Sequence, residues 1–239
     1  MSVIRCFTTL AVLWALLSSA HASVQINGTR VIYNADARDV SVQLTNSGKY
    51  PVLVQSWLDD GDPDTLPEKA SAPFALTPPL ARLREGGGQT LRLAFIATQT
   101  PPADRESVWW LNVLEIPPES DKGGNELQLQ LAFRSRIKLF YRPAGLNAEQ
   151  ANKAVRQLRW RSAGNKLTLH NPTPYFVSLT RVSISEGPKS LTLEADMVSP
   201  YGEFSLDLPA GRTLNGQEKV VVGYVNDYGA FNSQPIQHQ

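Results

Sequence analysis

Cysteine is all but missing from this chain: its one thiol, Cys6, lies within the first 22 residues. That segment, MSVIRCFTTLAVLWALLSSAHA, has the three parts of a secretory signal, with Arg5 as the basic start, residues 7–17 as the apolar core and Ala20-His21-Ala22 as an A-x-A cleavage site. Residues 23–239 are then exported without a thiol, so no disulfide framework holds them, and a chain of this size needs none. Long hydrophobic runs are also scarce. An apolar core of 11 residues falls short of the roughly 20 that cross a bilayer, and no later stretch qualifies, so membrane insertion is not expected. A surplus of charge is absent as well: 23 basic residues face 22 acidic ones, and losing Arg5 with the signal leaves a balance near zero. No global field draws the protein to nucleic acid or to an anionic membrane.

Chemistry-bearing residues are equally few. Of three histidines, His21 leaves with the signal, His238 sits in a polar tail, and His170 stands at a strand-turn junction, where a solvated turn residue is a simpler reading than a catalytic base. No G-x-S-x-G elbow, C-x-x-C, H-E-x-x-H or Walker loop occurs. One candidate histidine and no thiol also leave a transition-metal site without ligands. The pairs Asp59/Asp60 and Glu194/Asp196 fall in polar, turn-like stretches and read as solvated charges without acid/base geometry. The Gly triplet after Glu85 lacks a following Lys-Ser/Thr and reads as a loop rather than a phosphate cradle. Neither enzyme, cofactor nor metal is expected.

What the chain does contain is β pattern. Short alternating runs recur between turn signals, and only residues 147–158 hint at helix. VSVQLTNSGKYPVLVQSWL in the first half and KLTLHNPTPYFVSLTRVSI in the second each read as strand, Asn-containing turn and strand, the same hairpin built twice. Pro143 and Gly145 interrupt the pattern between them. An all-β chain of two immunoglobulin-like β-sandwich domains, 23–143 and 144–239, with roughly seven strands each, is the simplest architecture after a signal at 1–22.

The longest alternation is LQLQLAFRSRIKLFYRP, residues 127–143. Odd positions are mostly apolar, Leu127, Leu129, Leu131, Phe133, Ile137 and Leu139, while even ones include Gln128, Gln130, Arg134, Arg136 and Lys138. Strands usually run to about 5 or 6 residues, so this is two strands or one unusually long one. An exposed apolar edge of that length invites aggregation unless it has a use. A solvated strand face accounts for Arg134 and Arg136; Lys138 and Arg142 need another explanation.

Read as an ordered set, residues 28–57, 74–93, 104–118, 136–143, 170–180 and 224–230 resemble the PapD-like periplasmic chaperones of the chaperone-usher pilus pathway, most tellingly IPP followed by IKLFYRP. The resemblance implies two immunoglobulin-like domains set at an angle, a periplasmic location, and binding of fimbrial (pilin) subunits, which are passed to an outer-membrane usher. It makes the alternating stretch a donor strand, with Leu129, Leu131 and Phe133 entering an apolar groove of a subunit that lacks its own last strand. Arg30 and Lys138 match the pair that grips the subunit's C-terminal carboxylate, and Glu106, Arg142 and Asp227 match a charged triad between the domains. As an exposed triad it would hold an angle more than add stability. Strict alternation puts Lys138 on the opposite face from the three apolar residues, and a bulge or strong twist near Ser135 would reconcile them. Thr77-Pro78 falls where the family has a cis proline, the short loop 119–126 resembles the branch that builds rod-like fimbriae, and the polar end after Ala230 puts the last strand of the second domain in question. A homodimer through the exposed edge is open for the subunit-free protein. The alternative is a secreted two-domain adhesion or carbohydrate-binding module, for which Trp109 and Trp110 would have to form a sugar platform, although neighbours in a strand face opposite ways.

Overall fold

The computed structural model describes residues 23–96, 100–118, 131–187 and 189–239. The expected signal, the loop 119–126 and Leu129 therefore lie outside the described residues. Among the described residues the first half contains nine strands: β1 (Val24–Ile26), β2 (Arg30–Asn34), β3 (Val40–Asn46), β4 (Val52–Asp59), β5 (Phe74–Thr77), β6 (Leu80–Leu83), β7 (Gly88–Phe95), β8 (Ser107–Ile116) and β9 (Phe133–Arg142). They form a four-stranded sheet in the order β1-β3-β7-β5 and a five-stranded sheet in the order β2-β9-β8-β4-β6.

Nine strands rather than about seven arise because the chain changes sheet twice in mid-course. Between β1 and β2 it turns at Gly28, whose φ of 119° is open to glycine and strained for other residues. Between β5 and β6 it turns at the cis Thr77-Pro78 bond, with Pro79 following. The period-two pattern then sorts side chains: in β3, Val42, Leu44 and Asn46 are buried while Ser41, Gln43 and Thr45 face water. Phe74 centres the core, with ring centroids 5.3 Å from Tyr33, 5.5 Å from Phe95 and 5.3 Å from Trp109, each edge-on.

The second half contains α1 (Ala148–Ala154), a 3₁₀ turn (Val155–Gln157), and β10 (Arg159–Ala163), β11 (Lys166–His170), β12 (Ser178–Glu186), β13 (Lys189–Glu194), β14 (Glu203–Asp207), β15 (Lys219–Val225) and β16 (Phe231–His238). The helix falls within the expected 147–158 segment, and the Asn147 side chain caps it by accepting from Gln150 N at 2.9 Å. The polar C-terminal end is a strand after all. β16 runs antiparallel to β15 through Ile236 and then pairs in parallel with β10 at Gln237 and His238, joining the two layers. One buried side chain is enough here: Ile236 is inside while its neighbours are wet, so a mostly polar segment still forms the strand.

The repeated hairpin has a shared physical device. Asn46 is fully buried and donates to the carbonyls of Tyr50 (2.8 Å), Leu83 (3.3 Å) and Arg84 (3.2 Å). Asn171, equally buried, donates to the carbonyls of Tyr175 (2.7 Å) and Ser199 (2.9 Å) and accepts from Thr173 N. In both halves one buried amide ties the turn, through the carbonyl four residues on, to a neighbouring segment, and is itself satisfied by doing so.

Candidate functional site

β9 is the element on which the site is built. On one side it pairs antiparallel with β8 along nearly its whole length, from Glu115↔Phe133 to Ser107↔Tyr141, without a break in register. The expected bulge near Ser135 is therefore absent. On the other side β2 runs parallel to β9 and covers only residues 138–142, starting at Arg30↔Lys138. Among the described residues, nothing hydrogen-bonds the second edge at 133–137. That open lane runs end-on into Arg30.

The two faces of β9 do different work. Its odd positions face the core at one end, where Leu139 is wholly buried, and leave it towards the other, where Phe133 is 42% and Leu131 56% exposed. Leu131 and Phe133 thus overhang the sandwich in one row, although Leu131 precedes the strand itself. Even positions carry Arg134, Arg136, Lys138, Phe140 and Arg142 on the opposite face, so the cations and the apolar row are separated by alternation alone. No twist is needed to bring them together: a strand ending beside Lys138 has its terminus in the plane of the sheet, within reach of either face.

Arg30 and Lys138 face each other across β2 and β9. The Arg30 Nη1 donates to Ser178 Oγ at 3.1 Å and to the Val225 carbonyl at 3.0 Å, both in the second domain, and its guanidinium lies 5.8 Å from the Phe140 ring. Its Nε is buried with no hydrogen-bond partner among the described residues. Burial pulls the Arg30 guanidinium below its ordinary pKa, partly offset by Asp227, which leaves it a cation short of negative charge. Lys138 Nζ stands 3.4 Å from Asp196 Oδ1, an exposed carboxylate of the second domain. Asp196, expected to be free in solvent, thus has a partner across the cleft.

Glu106, Arg142 and Asp227 come together. Arg142 lies 2.7 Å from Glu106 Oε1 through Nη2 and 3.0 Å from Asp227 Oδ2. This is no exposed triad: Arg142 is 2% and Glu106 3% exposed, so its energetics follow the rules for buried ions. Burial raises the Glu106 carboxyl above its ordinary pKa, and Arg142 and the Phe176 N–H, 2.9 Å from Oε2, only partly offset it. Glu106 N also donates to the Pro174 carbonyl at 2.9 Å, and the Phe140 and Phe176 rings meet at 5.7 Å, so apolar and polar contacts flank the ion pairs between the halves.

A second charged cluster escaped the sequence. Asp59 is 1% exposed, not solvated, and its carboxylate accepts from Asn112 Nδ2 (2.6 Å), Gly61 N (2.8 Å), Arg136 Nη2 (2.5 Å) and Arg136 Nε (3.2 Å). Desolvation would raise its pKa, yet the donors from Arg136, Asn112 and Gly61 outweigh it and hold the carboxyl below the usual range. Arg136 is likewise no solvated strand cation, since its guanidinium lies on the Trp110 ring at 4.8 Å. The signal that could have found this is Trp57, two positions before Asp59 on the same strand face, because an indole on an outer face implies a covered one. Trp109 is buried and Trp110 carries Arg136, so the two tryptophans form no open sugar platform. Among the described residues no group of three or more His, Cys, Asp or Glu side chains could hold a metal ion.

Known proteins share this architecture. The family model "Pili and flagellar-assembly chaperone, PapD N-terminal domain" matches residues 23–147, and "Pili assembly chaperone PapD, C-terminal domain" matches residues 153–235. The probable fimbrial chaperone YadV of Escherichia coli (strain K12) is 42% identical over 230 residues, covering 94% of this chain and 92% of its own. The chaperone protein FimB/FhaD of Bordetella pertussis is 41% identical over 222 residues, covering 92% and 89%. Among solved structures, the crystal structure of the YadV chaperone matches with a TM-score of 0.76 at 38% identity, over 90% of this chain and 100% of that one. The SafB chaperone of Salmonella enterica, solved in complex with the SafA pilin, matches with a TM-score of 0.75 at 29% identity over 92% and 97%. The chain belongs to the PapD-like fimbrial assembly chaperones, a family of two immunoglobulin-like domains and of chaperones rather than enzymes.

Proposed function

We propose that this chaperone works in the periplasm, lends β9 to a pilin subunit that lacks a strand of its own, and delivers the subunit to an outer-membrane usher. The observation that carries the reading is the open lane beside residues 133–137, which stops at Arg30. A guest strand in that lane pairs its backbone with β9 and sets alternate side chains beside Leu131 and Phe133, the mode of β-augmentation. Run parallel to β9, it brings its C-terminus to Arg30 and Lys138; run antiparallel, it would bring its N-terminal amine to two cations. The charges select the parallel direction and a free carboxylate, which accepts charge-assisted hydrogen bonds from both. Leu129 would continue the apolar row. Glu106, Arg142 and Asp227 keep the two domains in the geometry that forms the cleft. Subunit-free protein would cover the lane by pairing two copies into a homodimer.

The experiment is co-expression with a fimbrial subunit in the periplasm, purification through a tag on the chaperone, and sizing of the product. A one-to-one complex that Lys138→Ala abolishes, with the variant's circular dichroism unchanged, is expected. Lys138 tests the clamp more cleanly than Arg30, which also bonds Ser178 and Val225. A complex that survives Lys138→Ala at full affinity rules out the carboxylate clamp.

A further inference from the structure

We propose that Asp59 sets the register of the guest strand by holding Arg136 away from the lane beside β9. The inference rests on the donor-strand reading above and concerns a question that reading leaves open. A slip of one residue is excluded by alternation, because it would turn every side chain to the wrong face. A slip of two residues keeps every side chain on its correct face. It would carry the guest's carboxylate from Lys138 to the next cation on the same face of β9, which is Arg136.

The geometry removes that alternative. Arg30, Lys138, Trp110 and Asp59 form one row across β2, β9, β8 and β4. Arg136 starts one step back on β9 and crosses the Trp110 ring diagonally to meet Asp59, both of whose carboxylate oxygens it engages. Neighbouring strands lie about 4.8 Å apart, so Asp59, two strands from β9 on the side opposite the lane, draws the guanidinium roughly 10 Å from where a guest would lie. Asn112 and Gly61 fix the Asp59 carboxylate in turn. Lys138 is restrained differently: its partner, Asp196, is exposed, single and on the other domain, so it is readily displaced by an incoming carboxylate. Asp59 is thus a positioning residue that neutralises the cation nearest to Lys138 on that face and removes the two-residue slip.

The test uses a chain beginning at Ser23, which has no native cysteine, and the co-expressed fimbrial subunit as probe. Ser135→Cys is combined with single cysteines at consecutive positions of the subunit's last strand, and disulfide yield is read by position. Without further change, one position dominates. Lys138→Ala abolishes the complex; Lys138→Ala/Asp59→Asn restores at least about tenfold in affinity over Lys138→Ala, with the cross-link moved two positions towards the subunit's C-terminus. Adding Arg136→Gln to that double variant abolishes the complex again. Asp59→Ser is tested alongside, so that a packing defect peculiar to Asn is separated from loss of charge. If Lys138→Ala binds normally, the clamp itself fails. If Lys138→Ala is dead and the folded double variants stay dead, or bind with the cross-link unmoved, the register role of Asp59 is overturned while the clamp stands.

Discussion

Replacing Arg142 by methionine should open the molecule rather than unfold it, and should do so in a pH-dependent way. The substitution keeps bulk at a 2% exposed site and removes the guanidinium that serves both Glu106 and Asp227. Glu106 is left 3% exposed with the Phe176 N–H as its remaining donor among the described contacts. Breaking a buried pair by removing one partner costs about 3–5 kcal/mol. The chain has a cheaper escape than global unfolding, because Glu106 is buried against the second domain and separation of the domains would hydrate it. What opposes separation includes Glu106 N to Pro174, Arg30 to Ser178 and Val225, and the Phe140–Phe176 contact. At about 0.5–1.5 kcal/mol net per hydrogen bond, the three bonds amount to about 1.5–4.5 kcal/mol, comparable to the cost of the orphaned carboxylate. The sign with pH follows from Glu106. Its pKa already stands above the ordinary 4.5, and loss of Arg142 raises it further. A group whose folded pKa is raised contributes fully below the unfolded value and loses that contribution as pH climbs through the folded one. Arg142→Met is therefore closed near pH 4.5 and opens towards pH 8, whereas Glu106→Gln/Arg142→Met, with no buried charge to hydrate, stays closed throughout. Small-angle scattering, with energy transfer between dyes on engineered cysteines in the two domains, reads the change directly. A radius of gyration and transfer efficiency for Arg142→Met that do not vary between these pH values would refute the reasoning.

Three shorter expectations follow from the same contacts. Leu131 and Phe133 are already about half buried, so at roughly 1.5–3 kcal/mol for a fully buried large side chain they can add only about 1.5–3 kcal/mol together on receiving a guest; Leu131→Glu should leave the melting temperature within about a degree and abolish subunit capture in a pull-down, and capture at wild-type yield would contradict it. Asn46→Ala and Asn171→Ala each remove the amide that ties a turn to its neighbouring segment, at roughly 1–3 kcal/mol for the lost buried hydrogen bonds, and urea unfolding should register a loss of that order in the first and second domain respectively. Asp59 has a depressed pKa, so its contribution is present above the ordinary 3.8 and lost as pH falls through the lower folded value; the stability gap between wild type and Asp59→Asn, followed by urea unfolding from pH 7 to pH 2, should be flat above about pH 5 and close in acid.

How much of this was legible in the sequence depends on the range over which the cause acts. Alternation and turn residues are local, so the β class, the two hairpins, the hint of helix at 147–158 and the apolar row of residues 127–139 could be read directly. Strand number could not, because a change of sheet at Gly28 or Pro78 looks locally like any turn and counts as a new strand only when pairing partners are known. The strand β16 was obscured for a related reason: its pairing is made by the backbone, with little apolar side-chain signal beyond Ile236. Charges were hardest. Asp59 and Arg136 are 77 residues apart, and nothing near either one announces that the intervening strand carries Trp110 between them. Arg142 and Glu106 were identified through family resemblance, yet their burial, which reverses the energetic argument, depends on the second domain lying over them.

The placement of charge along β9 explains why binding and domain geometry belong to one strand. Its even face runs from Arg136, which bonds within the first domain, through Lys138, which reaches Asp196, and Phe140, which meets Phe176, to Arg142, which reaches Asp227. Three consecutive even positions thus contact the second domain, while the odd face passes from the core into solvent and, among the described residues, nothing pairs with the edge at 133–137. Because β8 holds β9 in unbroken register, displacement of the second domain reaches Lys138 through the same backbone that a guest would pair with. Lys138 needs the second domain only loosely, through an exposed carboxylate, whereas Arg30 is bound to it by two hydrogen bonds. A variant that opens the domains, such as Arg142→Met at pH 8, is therefore expected to displace Arg30 before Lys138, losing one cation of the clamp while the apolar row of β9 remains intact.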